Sequence, residues 1–371
     1  MSVTNFEKIF QEATENIRKE RPEVTDEILT QAIKNTFNRS LFEETANVIY
    51  DSLKQTMYKT LSQEQLLYLE FTSRLSQRWL TPLSLLDTMI MISEEICTDS
   101  IDNTLEIQPE NNTGQLPSTI TSLRYFTIMK LLSKIIVTAK EISYLLKGGF
   151  SDAAISRWRT LHEMDTVLQI FTLVYNDQDK INDIALRYND SAILEQFKEY
   201  KKINRKDKNS ELYLKLKKDV DEIIASRGET FYKSYEWARP LISKAGPIYF
   251  KDLESICQNN HLEGYYQQAN YQIHGSPSGV YYSNGEIEDD RIPSATYVFG
   301  PSNYGLSLPG QLTAISLSKS MATFLLINPK MDHVIQANVF SLISKDILNE
   351  FEAVQQEILD EELLYLQNEK F

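Results

Sequence analysis

The chain has 371 residues, room for two or three domains, and its 42% apolar and 11% aromatic content excludes a disordered composition. A net charge of −14 excludes a surface that coats nucleic acid throughout. The two cysteines, Cys97 and Cys257, lie too far apart to suggest a disulfide framework or a cysteine zinc site.

The first residues, Met1 to Glu7, lack the basic start and apolar run of a signal peptide. Helical periodicity follows. Phe6 to Ile17 is amphipathic, and a second helix after Pro22 has Thr25 or Asp26 as its cap and Glu27 in its first turn. Leu41–Met57, Glu64–Trp79 and Ser84–Ile96 continue the pattern. The greasiest stretch, Leu80 to Ile92, is interrupted by Pro82 and Asp87 and is too short to span a bilayer, so a cytoplasmic protein with no membrane association is expected. Periodicity stops between Thr98 and Ser118, where Asn103, Pro109, Gly114 and Pro117 predict a linker over residues 101–118 between an N-terminal helical domain, 1–100, and a second domain, 119–371.

The second domain opens with a long apolar helix, Ile120 to Lys147, stopped by Gly148-Gly149. A charged helix begins at once, capped by Ser151 or Asp152 and reaching about Tyr175, so the two helices are antiparallel neighbours. Helices are predicted at about 178–203 and 210–226, shorter ones near 229–244 and 250–273, and two closing helices at about 309–327 and 334–366. Residues 275–310 are rich in Gly, Pro, Ser, Asn and Tyr and predict a long irregular loop, with a short strand at 280–282 or 296–299 as the alternative. The whole is an all-α multi-helix bundle with that loop folded over it.

In the charged helix, Arg159, His162 and Glu163 share a face at i, i+3 and i+4, while Ile155, Trp158, Leu161, Leu168 and Phe171 belong to an element packed on several sides. Ionisable groups in such a setting cost free energy unless paired. Either Arg159–Glu163 is an intrahelical ion pair, or it orients a further group. A second candidate is His274, which follows Asn270 and Tyr271 and precedes Gly275-Ser276. It is either a helix C-terminal cap or an acid/base at the mouth of a cleft. Nine basic residues from Lys198 to Lys218, among them Lys201, Lys202, Arg205 and Lys206, form either a solvated exterior or a phosphate-tracking patch. No Gly-rich phosphate loop, GxSxG elbow, HExxH or repeated Glu-x-x-His motif occurs, so no metal and no cofactor is expected.

Three features together resemble one large bacterial family: the Arg159-Thr160-Leu161-His162-Glu163 helix after Gly148-Gly149, the Tyr235-Glu236-Trp237 segment, and the tyrosine-rich approach to His274-Gly275-Ser276. The family is the domain of unknown function five-six-seven-seven, and the likeness covers about residues 118–310. Asn270 departs from it, since the family often has Ser there. Arg157 and His162 also resemble the arginine–histidine pattern of the HEPN ribonuclease superfamily, although helical geometry sets them about 140° apart.

These likenesses imply a metal-independent endoribonuclease or related effector in bacterial antiphage defence. His274 or His162 would be the acid/base, Arg159 the stabiliser of phosphorane charge, Glu163 an orienting group and Tyr271 a hydrogen-bond donor nearby. Lys201, Lys202, Arg205, Lys206, Asn270 and Ser276 would hold RNA. The alternative is a non-enzymatic helical adaptor whose charged helix is architectural. Expected partners are RNA, a protein from a defence operon, and a second copy paired through the C-terminal helix, whose Val339, Leu342, Ile347, Phe351, Val354 and Ile358 recur along one apolar stripe.

Overall fold

The computed structural model describes residues 14–29, 31, 39–107, 120–174, 177–204, 208–281, 298–327 and 329–368. The chain divides into two compact units, residues 1–71 and 72–371. In the first unit, residues 14–20 and 26–29 are helical, and Thr25 Oγ1 accepts from Ile28 N at 3.4 Å, as expected of a cap. Helix α1, Arg39–Arg78, joins the two predicted segments 41–57 and 64–79 into one element, and the unit boundary falls within it.

In the second unit α2 runs from Leu80 to Ile107. It is nearly continuous with α1, and the break at Trp79 has a local cause. Pro82 has no N–H, and its ring crowds the carbonyl four residues back, so the chain must restart there. Pro82 then occupies the first turn, where it is tolerated. The linker predicted from residue 101 is helical to Ile107; its remainder, 108–118, lies outside the described residues. Asp102 and Asn103, read as breakers, instead continue the helix.

Helix α3, Ile120–Lys147, and helix α4, Ser151–Leu173, form the antiparallel pair. The turn between them is a Schellman motif. Gly149 takes φ 79°, and bonds run from Gly149 N to Leu146 O and from Phe150 N to Leu145 O, both at 3.0 Å. That turn leads straight into α4, so Phe150 occupies the cap position, and Ser151 and Asp152 fall within the first turn of the helix. Next come α5, Gln178–Ile203, and α6, Glu211–Arg227. Two 3₁₀ turns, Glu229–Tyr232 and Glu236–Leu241, replace the helix predicted at 229–244. The helix predicted at 250–273 is split into α7, Phe250–Ile256, a 3₁₀ turn at Asn260–Leu262, and α8, Glu263–Ile273. The split coincides with Gln258, held at φ 58°.

Residues Pro277–Tyr281 are a short helix, α9, where loop was predicted; residues 282–297 lie outside the described residues. The described end of that loop does fold back over the bundle. Ser302 N donates to Gly149 O at 2.9 Å, Trp79 Nε1 donates to Asn303 Oδ1 at 2.7 Å, and Tyr304 bonds Glu362. Helices α10, Ser307–Leu325, and α11, Met331–Asn368, close the chain. Among the described residues there is no strand, and no helix is long and apolar enough to cross a membrane.

Helix α4 is the centre of the larger unit. It packs against α3, α5, α7, α8 and α10, and Ile155, Trp158, Leu161, Leu168, Ile170 and Phe171 are fully buried. Helix α11 lies along α10 and buries Phe340, Ser344, Ile347, Phe351, Val354 and Ile358 at three- and four-residue steps.

Candidate functional site

The charged face of α4 meets two short elements from later in the chain, α7 and α8. At its outer edge Arg159 Nη2 reaches Glu163 Oε1 at 2.8 Å, each side chain 27% exposed. Tyr266 of α8 donates its hydroxyl to the same carboxylate oxygen, and the Arg159 guanidinium lies 4.9 Å from the Tyr266 ring centre. Burial first, and the Glu163 bond second, push the Tyr266 phenol well above its usual range. These three side chains make a half-open corner.

Behind the corner is a closed pair. His162 is fully buried, and its Nε2 lies 2.8 Å from Oε1 of Glu254 on α7, itself 1% exposed. The imidazole stacks on Trp158 at 5.2 Å and meets the edge of Phe250 at 5.8 Å. Phe250 in turn stacks on Tyr266 at 4.7 Å, so one aromatic layer joins corner and pair. Trp158 is anchored by its indole N–H, which bonds Leu312 O and Ser316 Oγ of α10, each at 3.0 Å. Among the described residues, Arg159 Nε, His162 Nδ1 and Glu254 Oε2 are buried without a hydrogen-bond partner. Nearby Tyr235 holds a left-handed φ of 60°, strained for a residue with a Cβ, and its hydroxyl is pushed up by burial and then by Glu163.

One turn further along α4, Thr166 accepts from Asn259 Nδ2 at 3.4 Å through its hydroxyl and from Cys257 Sγ at 3.5 Å through its carbonyl. This ties the α7–α8 connection to the same helix.

The predicted site residues therefore separate. Arg159, His162 and Glu163 are together. His274, Tyr271, Asn270 and Ser276 lie at the other end of α8, and none of their side chains bonds to that trio. His274 is exposed and follows the last residue of α8, its N–H directed at Asn270 O at 3.4 Å, which is the capping arrangement. Tyr271 is 43% exposed. Ser276 Oγ accepts from Gly279 N at 3.2 Å and so starts α9. Lys201 and Lys202 are exposed in the last turn of α5, with Lys201 Nζ 4.3 Å over the Phe197 ring; Arg205 and Lys206 lie outside the described residues. Glu236 of the Tyr-Glu-Trp segment is buried and paired with Arg239, which holds its carboxyl below the usual range. Among the described residues no cluster of His, Cys, Asp or Glu is arranged to hold a metal ion.

Two partners escaped the sequence reading. Glu254 stands at i+4 from Phe250, between the buried Leu253 and Cys257, so it occupies the apolar face of a seven-residue helix. Tyr266 belongs to the buried stripe Leu262, Tyr266, Ala269. A polar group interrupting such a stripe was the available signal.

Residues 125–292 match the model of the family of unknown function DUF5677. The DUF5677 segment contains the whole corner and the whole buried pair, and it also contains His274. It stops before α10, which packs against α3 and α4, and before α11, which packs on α10 and α2. No curated protein and no solved structure matches the chain.

Proposed function

We propose that the chain is a helical binding protein. Its working surface is the Arg159–Glu163–Tyr266 corner, and the His162–Glu254 pair is the brace behind it. The observation that carries this reading is the separation of the histidines: His162 is sealed from solvent, and His274 stands exposed away from Arg159. An imidazole, the commonest general acid/base, must stand within hydrogen-bond reach of the reacting proton, and neither histidine is presented at the corner. The accessible charge at the corner is the partly exposed Arg159 guanidinium with Nη2 on Glu163, which suits an anionic group presented by a ligand or partner. Thermal-shift titration with inorganic phosphate and acetate tests it. Stabilisation of the intact chain that disappears in Arg159→Gln is expected; no stabilisation by either anion would sink the reading.

A second reading, the metal-independent endoribonuclease of antiphage defence, is favoured by one observation. Arg159 Nε and His162 Nδ1, both unpartnered, belong to residues one turn apart on α4. Such a pair would bind a phosphodiester and shuttle a proton once α7 yields. Purified protein given transfer RNA and total RNA, with and without divalent ions, should then cut RNA. His162→Gln and Arg159→Gln should not, and His274→Ala should. Absence of cutting above the His162→Gln and Arg159→Gln variants removes the reading.

A further inference from the structure

We propose that Asp165 is a buried proton-uptake site that tightens the joint between α4 and α10 in mildly acid solution and relaxes it near neutrality. The carboxyl group is wholly out of solvent. Its hydrogen bonds come from two neutral donors: Ser320 Oγ of α10, 2.8 Å from Oδ1, and Gln169 Nε2 of its own helix, 2.7 Å from Oδ2.

The charged groups around it are engaged elsewhere. Lys319 of α10 directs its ammonium to Asn259 Oδ1. His162, one turn earlier on α4, directs Nε2 to Glu254 of α7. Cys257, from the segment after α7, directs its thiol to Thr166 O, and burial pushes that thiol up to about 12. An ionised Asp165 therefore has dipoles beside it and no direct counter-ion. A neutral Asp165 loses nothing: Gln169 keeps its bond, and the Ser320 hydroxyl, a rotor able to donate or accept, can take the carboxyl proton.

Burial raises the Asp165 pKa from 3.8 to about 6, against smaller opposing effects of Ser320, His162, Lys319 and Gln169. The sign follows. The unfolded chain releases this proton near 3.8, and the folded chain keeps it until about 6. The stability owed to this group is complete below the lower value and is lost as pH rises to the upper one. A shift of about two units corresponds to about a hundredfold in the folding equilibrium. The position is independent of what binds at Arg159.

Urea unfolding of the intact chain and of Asp165→Asn, which is permanently neutral there, is measured from about pH 4 to about pH 8. The intact chain should lose about fiftyfold in folding equilibrium relative to the variant as pH rises from about 4 to about 6.5. A difference that stays level across that range overturns the proposal. Should Asp165→Asn fail to fold, carboxyl-labelled aspartate in the intact chain is followed by NMR. One aspartate carbon titrating near the expected midpoint supports the proposal, and none titrating above about pH 5 overturns it.

Discussion

An imidazole and a carboxylate withdrawn together from water depend on each other far more than two partners at a wet edge do. His162 and Glu254 are in the first position; Arg159 and Glu163 are in the second. Glu254→Ala leaves a buried histidine without its partner and should cost about 3–5 kcal/mol in urea unfolding. Arg159→Ala should cost only about 1 kcal/mol, because water reaches the corner and Tyr266 still bonds Glu163. The reverse order would show that the corner, which joins α4 to α8, matters more to stability than the pair, which joins α4 to α7. The sequence placed Arg159, His162 and Glu163 on one helix face, and the structure keeps them adjacent. Spacing alone could not tell which of them points inward, because that is decided by Trp158 and Phe250. Nor could it show Glu254, which is 92 residues further along the chain. His274 was singled out for its chemistry, yet its exposed place after α8 fits the capping alternative.

At the scale of elements, periodicity was most legible where a helix is long. The spans of α3 and α5 were read to the residue, 120–147 and 178–203, and α4, α6 and α10 to within two. Two of the misses are of one kind. Segments 229–241 and 257–262 turn at Tyr235 and Gln258, non-glycine residues in left-handed backbone whose identity gives no warning. The α10–α11 contact offers a test of packing against propensity. A Cβ at Gly310 would overlap the Phe351 ring. Glycine to alanine inside a helix ordinarily stabilises, by about 1 kcal/mol. Gly310→Ala should instead destabilise, by about 1–3 kcal/mol in denaturant unfolding, because Phe351 is fully buried and has nowhere to move. A neutral or stabilising result would mean that the two helices can slide apart at this point.

At the scale of the whole molecule, the C-terminal helix was expected to bring two copies together. Its inner stripe, from Phe340 to Ile358, is occupied within the chain, so removing α11 would open the core rather than test association. The outward side chains Met331, Ile335 and Leu342 remain exposed at 82%, 58% and 64%. We propose pairing through these. Light scattering should give a dimer mass for the intact chain at micromolar concentration and a monomer mass for Ile335→Glu combined with Leu342→Glu. A monomer mass for the intact chain removes the dimer. The division at residue 71 has an optical consequence. All three tryptophans, Trp79, Trp158 and Trp237, belong to residues 72–371 and are buried there. Tryptophan emission is therefore a private signal of the larger unit, whereas far-ultraviolet ellipticity sums the helices of both. Superimposed melting curves would make the chain one cooperative body, and an ellipticity loss preceding the emission change would show the first unit melting on its own.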